Sequence, residues 1–389
     1  MVDQIIIVGG GVFGLTSALE LQQRGYSVTL LNPGPIPHPE AASTDISKVV
    51  RMDYGNDAFY MELMENCLER WRDWNDEFGE TIFFETGVLF LSKNEMQPGD
   101  YEYESLALLD ARGHPTERIR RAELAKRFPA WNAEVYFDGY FNPQGGWSPC
   151  GRVTALLAGR ARKAGVQIVE GAIFSALRQV GGKVSGVKTK DGTEYEGEIV
   201  VMAAGSWTPA LLPWLRDVMW PTAQAVFHFR PERAGDYRGN AFPVWTAELG
   251  RTGWYGFPAQ PDGTLKIANH GPGWSLDPSG TRQVPEGEEA RFRAFFAESI
   301  PGLASAAQIG ARLCFYCDTF DTDFWIDHDP ERPGLVVSSG GSGHAFKFTP
   351  MLGQITADVV EGRQNAYASR FAWREKGELR AEAARFVNK

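Results

Sequence analysis

The stretch that most constrains this chain is QIIIVGGGVFGLTSALELQQRGYSVTLLN, residues 4–32. Ile5–Val8 form a continuous β-branched run, the pattern of a strand buried on both faces of a parallel sheet. Gly9, Gly11 and Gly14 follow as Gly-x-Gly-x-x-Gly. The apolar spacing after them is helical, and Gly25 stands where a helix C-cap glycine would. SVTLLN is then a second strand. In a βαβ unit of this kind, Gly9 permits a tight turn and Gly11 lets backbone approach a pyrophosphate. Gly14 lets helix and sheet pack closely, and the helix N-terminus faces the phosphates. A carboxylate is expected at the end of the second strand for the ribose hydroxyl. Asn32 stands there instead, and no Arg follows at 33–40 for a 2′-phosphate.

The remaining chain leaves this pattern and returns to it. Helical periodicity runs over 57–79 with Asp57 as N-cap. FFETGVLFLS and EVYFDGYFNPQGG alternate as antiparallel strands do. GRVTALLAGRARKAGVQIVEG reads as helix then strand, and GGKVSGVKTKDGTEYEGEIVVMAAG as a hairpin and a buried strand. Residues 218–317 are β-rich with one helix near 286–298. The chain closes on strand GLVVSS, loop Gly340-Gly341-Ser342-Gly343 and a helix-like MLGQITADVVEG. The expected fold is α/β, with a Rossmann-like FAD-binding domain (1–84, 147–217 and 321–389) interleaved with a β-rich α+β substrate domain (85–146 and 218–320). A nicotinamide dehydrogenase continues its parallel sheet directly; this chain departs into β structure and later adds a second glycine loop, which favours FAD over a nicotinamide. An NAD-dependent dehydrogenase is the rival on this point.

A net charge of −10 argues against a nucleic-acid or anionic membrane surface. No run of about 18 apolar residues suggests a membrane span. Four cysteines, Cys67, Cys150, Cys314 and Cys317, make no disulfide framework, and a reducing compartment is the default. The N-terminus lacks a basic n-region and RFVNK resembles no peroxisomal address, so a cytoplasmic protein is expected. Cys314 and Cys317 are spaced Cys-x-x-Cys, open to a redox pair, half a metal site or two inert thiols. No second Cys pair or His cluster lies near in sequence to complete a metal site, and none is expected. The 24 Phe, 12 Tyr and 12 Trp allow an aromatic-lined pocket.

The segments IIIVGGGVFGLTSALEL, KVVRMDYG, GWYGFP, TLKIANH, CFYCDTFDTDFWID and GGSGHAFKF resemble the sarcosine oxidase-like family of flavin amine oxidases nearly end to end. That family includes N-methyltryptophan, pipecolate, saccharopine and fructosyl-amino-acid oxidases. The resemblance implies a thioether from Cys314 to the flavin 8α-methyl carbon and leaves Cys317 a packing residue. It implies that Lys266 lies over the flavin face and aids oxygen reduction. Arg51 and Lys347 would bind the substrate carboxylate, and His270, Tyr255 and Tyr316 would lie beside the substrate amine. Gly9, Gly11, Val12, Phe13, Gly14, Asn32, Ser43, Lys48, Gly205, Trp207, Gly341, Gly343, His344 and Lys347 would contact the cofactor. Lys48 departs from the Arg of sarcosine oxidase, and STDIS replaces its His-rich turn. His270 stands where fructosyl-amino-acid oxidases usually carry Glu. The implied reaction is oxidation of a secondary amine in an N-substituted or cyclic amino acid, with oxygen reduced to hydrogen peroxide. The ligands are then a small amino-acid-like substrate and oxygen, with a monomer expected. Rival readings are a fructosyl-amino-acid or saccharopine oxidase, a flavin dehydrogenase with another acceptor, and a flavin-holding scaffold without turnover.

Overall fold

The computed structural model describes residues 4–380; RFVNK at the C-terminus lies outside them. The N-terminal unit forms as expected: a strand at Gln4–Val8, a helix at Val12–Gln23 and a strand at Ser27–Asn32. These strands sit in a six-stranded sheet ordered Trp325–His328, Leu335–Ser339, Ile199–Met202, Gln4–Val8, Ser27–Asn32, Gln167–Glu170. All neighbours are parallel except the first pair. The unbroken apolar run is explained by two covered faces. Ile5 and Ile7 pack with Leu15, Ala18 and Leu352 of the helices, whereas Ile6 and Val8 pack with Val184 and Val187 of a three-stranded sheet on the other side.

The second large sheet has eight strands. Its order is Ala307–Thr319, Met219–Arg230, Leu265–Asn269, Trp254–Gly256, Val244–Ala247, Val88–Ser92, Asp138–Asn142, Glu117–Arg118. It is antiparallel apart from one parallel pair, Val244–Ala247 with Val88–Ser92. Strict alternation divides its residues. Phe227, Phe229, Leu265, Ile267, Leu313 and Phe315 pack under the helix Glu288–Ser299, against Phe292 and Phe296. Burying each such aromatic is worth roughly 1.5–3 kcal/mol. Val226, Ala268, Cys314 and Tyr316 take the opposite face, with Tyr255 packed on them.

Asp57 caps the helix Ala58–Phe78 by accepting from the Tyr60 N–H, and Gly79 ends it in the left-handed region (φ 66°). Two details depart from the sequence expectation. A helix at Tyr101–Ala111 breaks the anticipated β run. The Gly340–Gly343 loop leads into a 3-10 turn, Ala345–Phe348, before the helix Thr349–Glu361, so it does not open directly onto that helix.

The glycine loop is closely packed. A Cβ at Gly14 would lie 1.9 Å from the Gly9 carbonyl oxygen, and one at Gly9 (φ 113°) 2.4 Å from that of Ala203. Gly14→Ala should therefore destabilise the protein by about 1–3 kcal/mol, read as a lower Tm.

Candidate functional site

A cleft of about 360 Å³ runs along the carboxyl end of the parallel sheet. Gly9, Gly11, Val12, Phe13, Asn32, Ser43, Lys48, Gly205, Trp207, Gly341 and Gly343 all contribute to its wall. No side chain caps the helix that starts at Val12, and no acidic residue sits in its first turn. Its leading N–H groups thus remain available to an anion. Apolar walls from Val8, Phe13, Ala203 and Phe174 suit flat rings. The residues present fit a dinucleotide cofactor such as FAD: free amides for a diphosphate, and apolar sides for its rings.

Four residues expected at the cofactor stand off this wall. Gly14 serves the packing just described. The His344 ring is turned into a cluster with Tyr54, Tyr60, Phe324 and Phe348. Cys314 and Lys347 lie behind the wall, where the two sheets meet. Asn32 lines the cleft, but its amide is committed within the loop: Oδ1 accepts from the Gly10 N–H (2.9 Å), and Nδ2 donates to the carbonyls of Gly34 (2.8 Å) and Pro35 (3.3 Å). Only its spare oxygen lone pair is left for a ribose hydroxyl.

Strand alternation separates the two cysteines. Cys314 and Tyr316 share a small cluster with Val226 and Ala268, whereas the Cys317 side chain packs with Met219 and Trp325, and Cys317, like Tyr316, contributes to the cleft wall. The Cys317 thiol lies 3.7 Å from Ser339 Oγ, and burial pushes its pKa up to about 12. Thiols on opposite faces of one strand form neither a redox pair nor a shared metal site. All four cysteines are free and buried. Lys48 Nζ is 3.7 Å from Cys314 Sγ. Gly343 (φ 74°) lets Tyr316 approach; a Cβ there would be 2.6 Å from the ring. Tyr316 OH is in turn 3.4 Å from His270 Nδ1.

Lys266 does not point to solvent. Its ammonium is fully buried, donates to the Ser47 carbonyl (2.5 Å), and ion-pairs with Asp45 Oδ2 at 2.7 Å. His228 Nε2 meets the other Asp45 oxygen at 3.2 Å. Burial alone would raise the Asp45 pKa; Lys266 first, then His228 and Lys48, outweigh it and hold the carboxylate well below the usual range.

Arg51 and Lys347 converge on Tyr54. The Arg51 guanidinium stands 5.3 Å from the ring centroid, and Lys347 Nζ donates to the hydroxyl (3.0 Å) and to the His344 carbonyl (2.9 Å). Tyr54 OH then donates to His344 Nδ1 (3.0 Å), while Nε2 faces the Thr322 carbonyl (3.0 Å). A carbonyl only accepts, so the ring carries its proton on Nε2. Arg51 NH1 donates to Tyr101 OH (3.0 Å). Arg51 forms no ion pair with the nearby acids Asp53 or Asp45: Asp53 is engaged by Tyr140 and Asn142, and Asp45 by Lys266. Burial first, then Arg51 and Lys48, depress the Lys347 pKa well below the lysine range. Tyr54, Tyr101, Asp45 and His228 complete the site without having been singled out for it; each is a common residue type, Tyr101 at a helix start and the others in loops or a strand, and only the fold brings them together.

A carboxylate bound between Arg51 and Lys347 needs the lysine charged. Its affinity should fall as pH rises through the depressed Lys347 pKa, because the charged form exists only below it. Titration of a carboxylate inhibitor across pH checks this, and Lys347→Met should flatten the profile.

The family profile described as FAD dependent oxidoreductase matches residues 4–359. Monomeric sarcosine oxidase of Bacillus sp. (strain B-0618) is 25% identical over 364 residues, spanning 92% of this chain and 91% of that one. N-methyl-L-tryptophan oxidase of Yersinia pestis (strain Pestoides F) is 27% identical over 358 residues, spanning 91% and 93%. Among solved structures, fructosyl amine: oxygen oxidoreductase (Amadoriase I) from Aspergillus fumigatus superposes with a TM-score of 0.81 at 26% identity, covering 96% of this chain and 89% of that one. The chain belongs to the FAD-dependent oxidoreductase family, with relatives of the sarcosine oxidase-like kind.

Proposed function

We propose that this FAD-dependent oxidoreductase oxidises a secondary amine in an N-substituted or cyclic amino acid, with oxygen as the electron acceptor. The observation that carries the reading is the pair Arg51 and Lys347, two buried cations on one tyrosine beside the cleft, neither with an ion-pair partner among the described residues. A planar carboxylate suits a guanidinium, and the second cation adds charge. Tyr54 orients both. Tyr255, Tyr316 and His270 form the flank on which the amine would lie. The surrounding positive charge keeps that amine neutral and reactive. A bound FAD would supply the two-electron acceptor for the hydrogen leaving the substrate carbon, and oxygen would leave with those electrons, that hydrogen and the proton lost from the amine nitrogen as hydrogen peroxide. The imine product hydrolyses to a carbonyl compound and an amine.

Cys314 is the residue we assign to a covalent flavin link, supported by its place next to the cleft-lining Phe315 and Tyr316 and by the Lys48 ammonium 3.7 Å from its sulfur. Residues 1–84, 147–217 and 321–389 are read as the FAD-binding domain and 85–146 with 218–320 as the substrate domain, in line with strand membership of the two large sheets. A cytoplasmic setting accords with four unpaired cysteines, and a monomer with the name of the sarcosine oxidase relative. A fructosyl amine is the second substrate reading; it draws support from the structural neighbours, whereas His270 speaks for the simpler amines.

Acid precipitation should leave yellow colour on the wild-type and Cys317→Ser proteins, and Cys314→Ala should release it; colour that washes off wild type removes the link. Arg51→Ala should raise KM for carboxylate-bearing amines roughly 10- to 100-fold, the loss of one charged hydrogen-bond set. An unchanged KM takes Arg51 out of the substrate site.

A further inference from the structure

The helix Tyr101–Ala111 meets the candidate substrate site through its first turn. Asp100, just before it, pairs with Arg251 at 2.8 Å, and Glu102 accepts from the Gly250 N–H at 3.1 Å. Both contacts tie the helix start to the 248–252 turn, which leads into the strand that carries Tyr255. Tyr101 itself stands between two glycines. A Cβ at Gly250 would fall 2.7 Å from the Tyr101 Cβ, and one at Gly55 3.3 Å from its ring. Bare backbone on both sides thus sets where the phenol lies.

From there it joins Arg51 to the backbone. The hydroxyl donates to the Asp53 carbonyl (2.6 Å) and accepts from Arg51 NH1 (3.0 Å). Burial, the largest influence, raises the Tyr101 pKa to about 12, so the hydroxyl keeps the proton that the carbonyl receives. The rings of Tyr54, Phe90 and Tyr101 surround the guanidinium carbon at 5.3, 5.7 and 5.9 Å. A guanidinium has five N–H donors in a rigid plane, and fixing one of them fixes the direction of the others. Asp53 is the competitor for those donors. It lies two residues from Arg51, is buried, and is held by Tyr140 and Asn142 instead.

We propose that Tyr101 is a positioning residue for the substrate carboxylate: its hydroxyl holds Arg51 by one N–H, aims the remaining donors at the ligand and keeps them off Asp53. This rests on the carboxylate reading of Arg51 and Lys347 above. Without the hydroxyl the guanidinium is free to turn toward Asp53, and the in-plane alignment that a bidentate carboxylate contact needs is lost.

Furan-2-carboxylate, a planar ring acid with no amine to oxidise, is the probe, and its dissociation constant is read from the visible spectrum of the flavin. Tyr101→Phe keeps the ring between the two glycines and removes only the hydroxyl. It should weaken binding about tenfold, the loss of one hydrogen bond to a charged group. In an Arg51→Ala background the same change should cost less than about twofold, because no guanidinium remains to be aimed. The proposal is overturned if Tyr101→Phe stays within about twofold of wild type, or if its loss is as large in the Arg51→Ala background, which marks a packing role independent of Arg51. A wild-type protein that does not bind the acid overturns the carboxylate reading itself and the proposal with it, an outcome distinct from either of these.

Discussion

The arrangement of the site depends on one buried contact, the ion pair that joins Asp45 of the 41–48 segment to Lys266 of the antiparallel sheet. That segment supplies cleft wall from one sheet's side, and Lys266 belongs to the other. A buried ion pair of this kind contributes little net stability, because desolvation offsets attraction; losing one partner alone costs about 3–5 kcal/mol. Its value lies in uniqueness of geometry. Thr154, Gly151, Cys150 and Arg312 bond the same segment through backbone oxygens at Ser43, Thr44 and Asp45. The wall is thereby fixed in place before any ligand arrives, and Lys48 is carried with it.

The opposite charge economy holds at Tyr54. Arg51 and Lys347 repel each other across a buried aromatic ring, and no acid of the chain relieves them within ion-pair distance among the described residues. The folded protein bears this strain, and an anionic ligand would relieve it. Sites built this way trade stability for binding. The overall charge of −10 makes the contrast sharper, since acids are plentiful on the chain yet none ion-pairs with either cation among the described residues; buried Asp53, the nearest named, is held by Tyr140 and Asn142.

Much of the fold was legible because the relevant signals are local. The βαβ unit, the Asp57 cap and the alternating strands depend on neighbours within a few residues. The glycine loop was readable for the same reason. Charge pairing was not. Lys266 and Asp45 are far apart in sequence, and nothing near either residue shows that a strand lysine ends in a buried ion pair. Asn32 shows a subtler limit: its position at the end of the second strand was evident, but its amide is spent on Gly10 and Gly34, which only the loop geometry reveals. The Tyr101–Ala111 helix was missed where a β context on both sides masked a short helical pattern.

The strand Ala307–Thr319 has a property that outlasts any single side chain. Odd and even positions pack into different clusters: Phe315 and Cys317 belong to two large apolar cores, Cys314 and Tyr316 to a small third one. A deletion of one residue before Cys314 would exchange the clusters and place Phe315 where the Cys314 thiol stood, and an insertion farther up the strand would place Leu313 there. A change of two would preserve the parity. The pairing irregularity at His228–Phe229, opposite Gly310 and Gln308, lies upstream of Cys314 and already absorbs one such offset. Length variation in this part of the chain is therefore quantised, tolerated in pairs or at that irregularity and nowhere between it and Cys314.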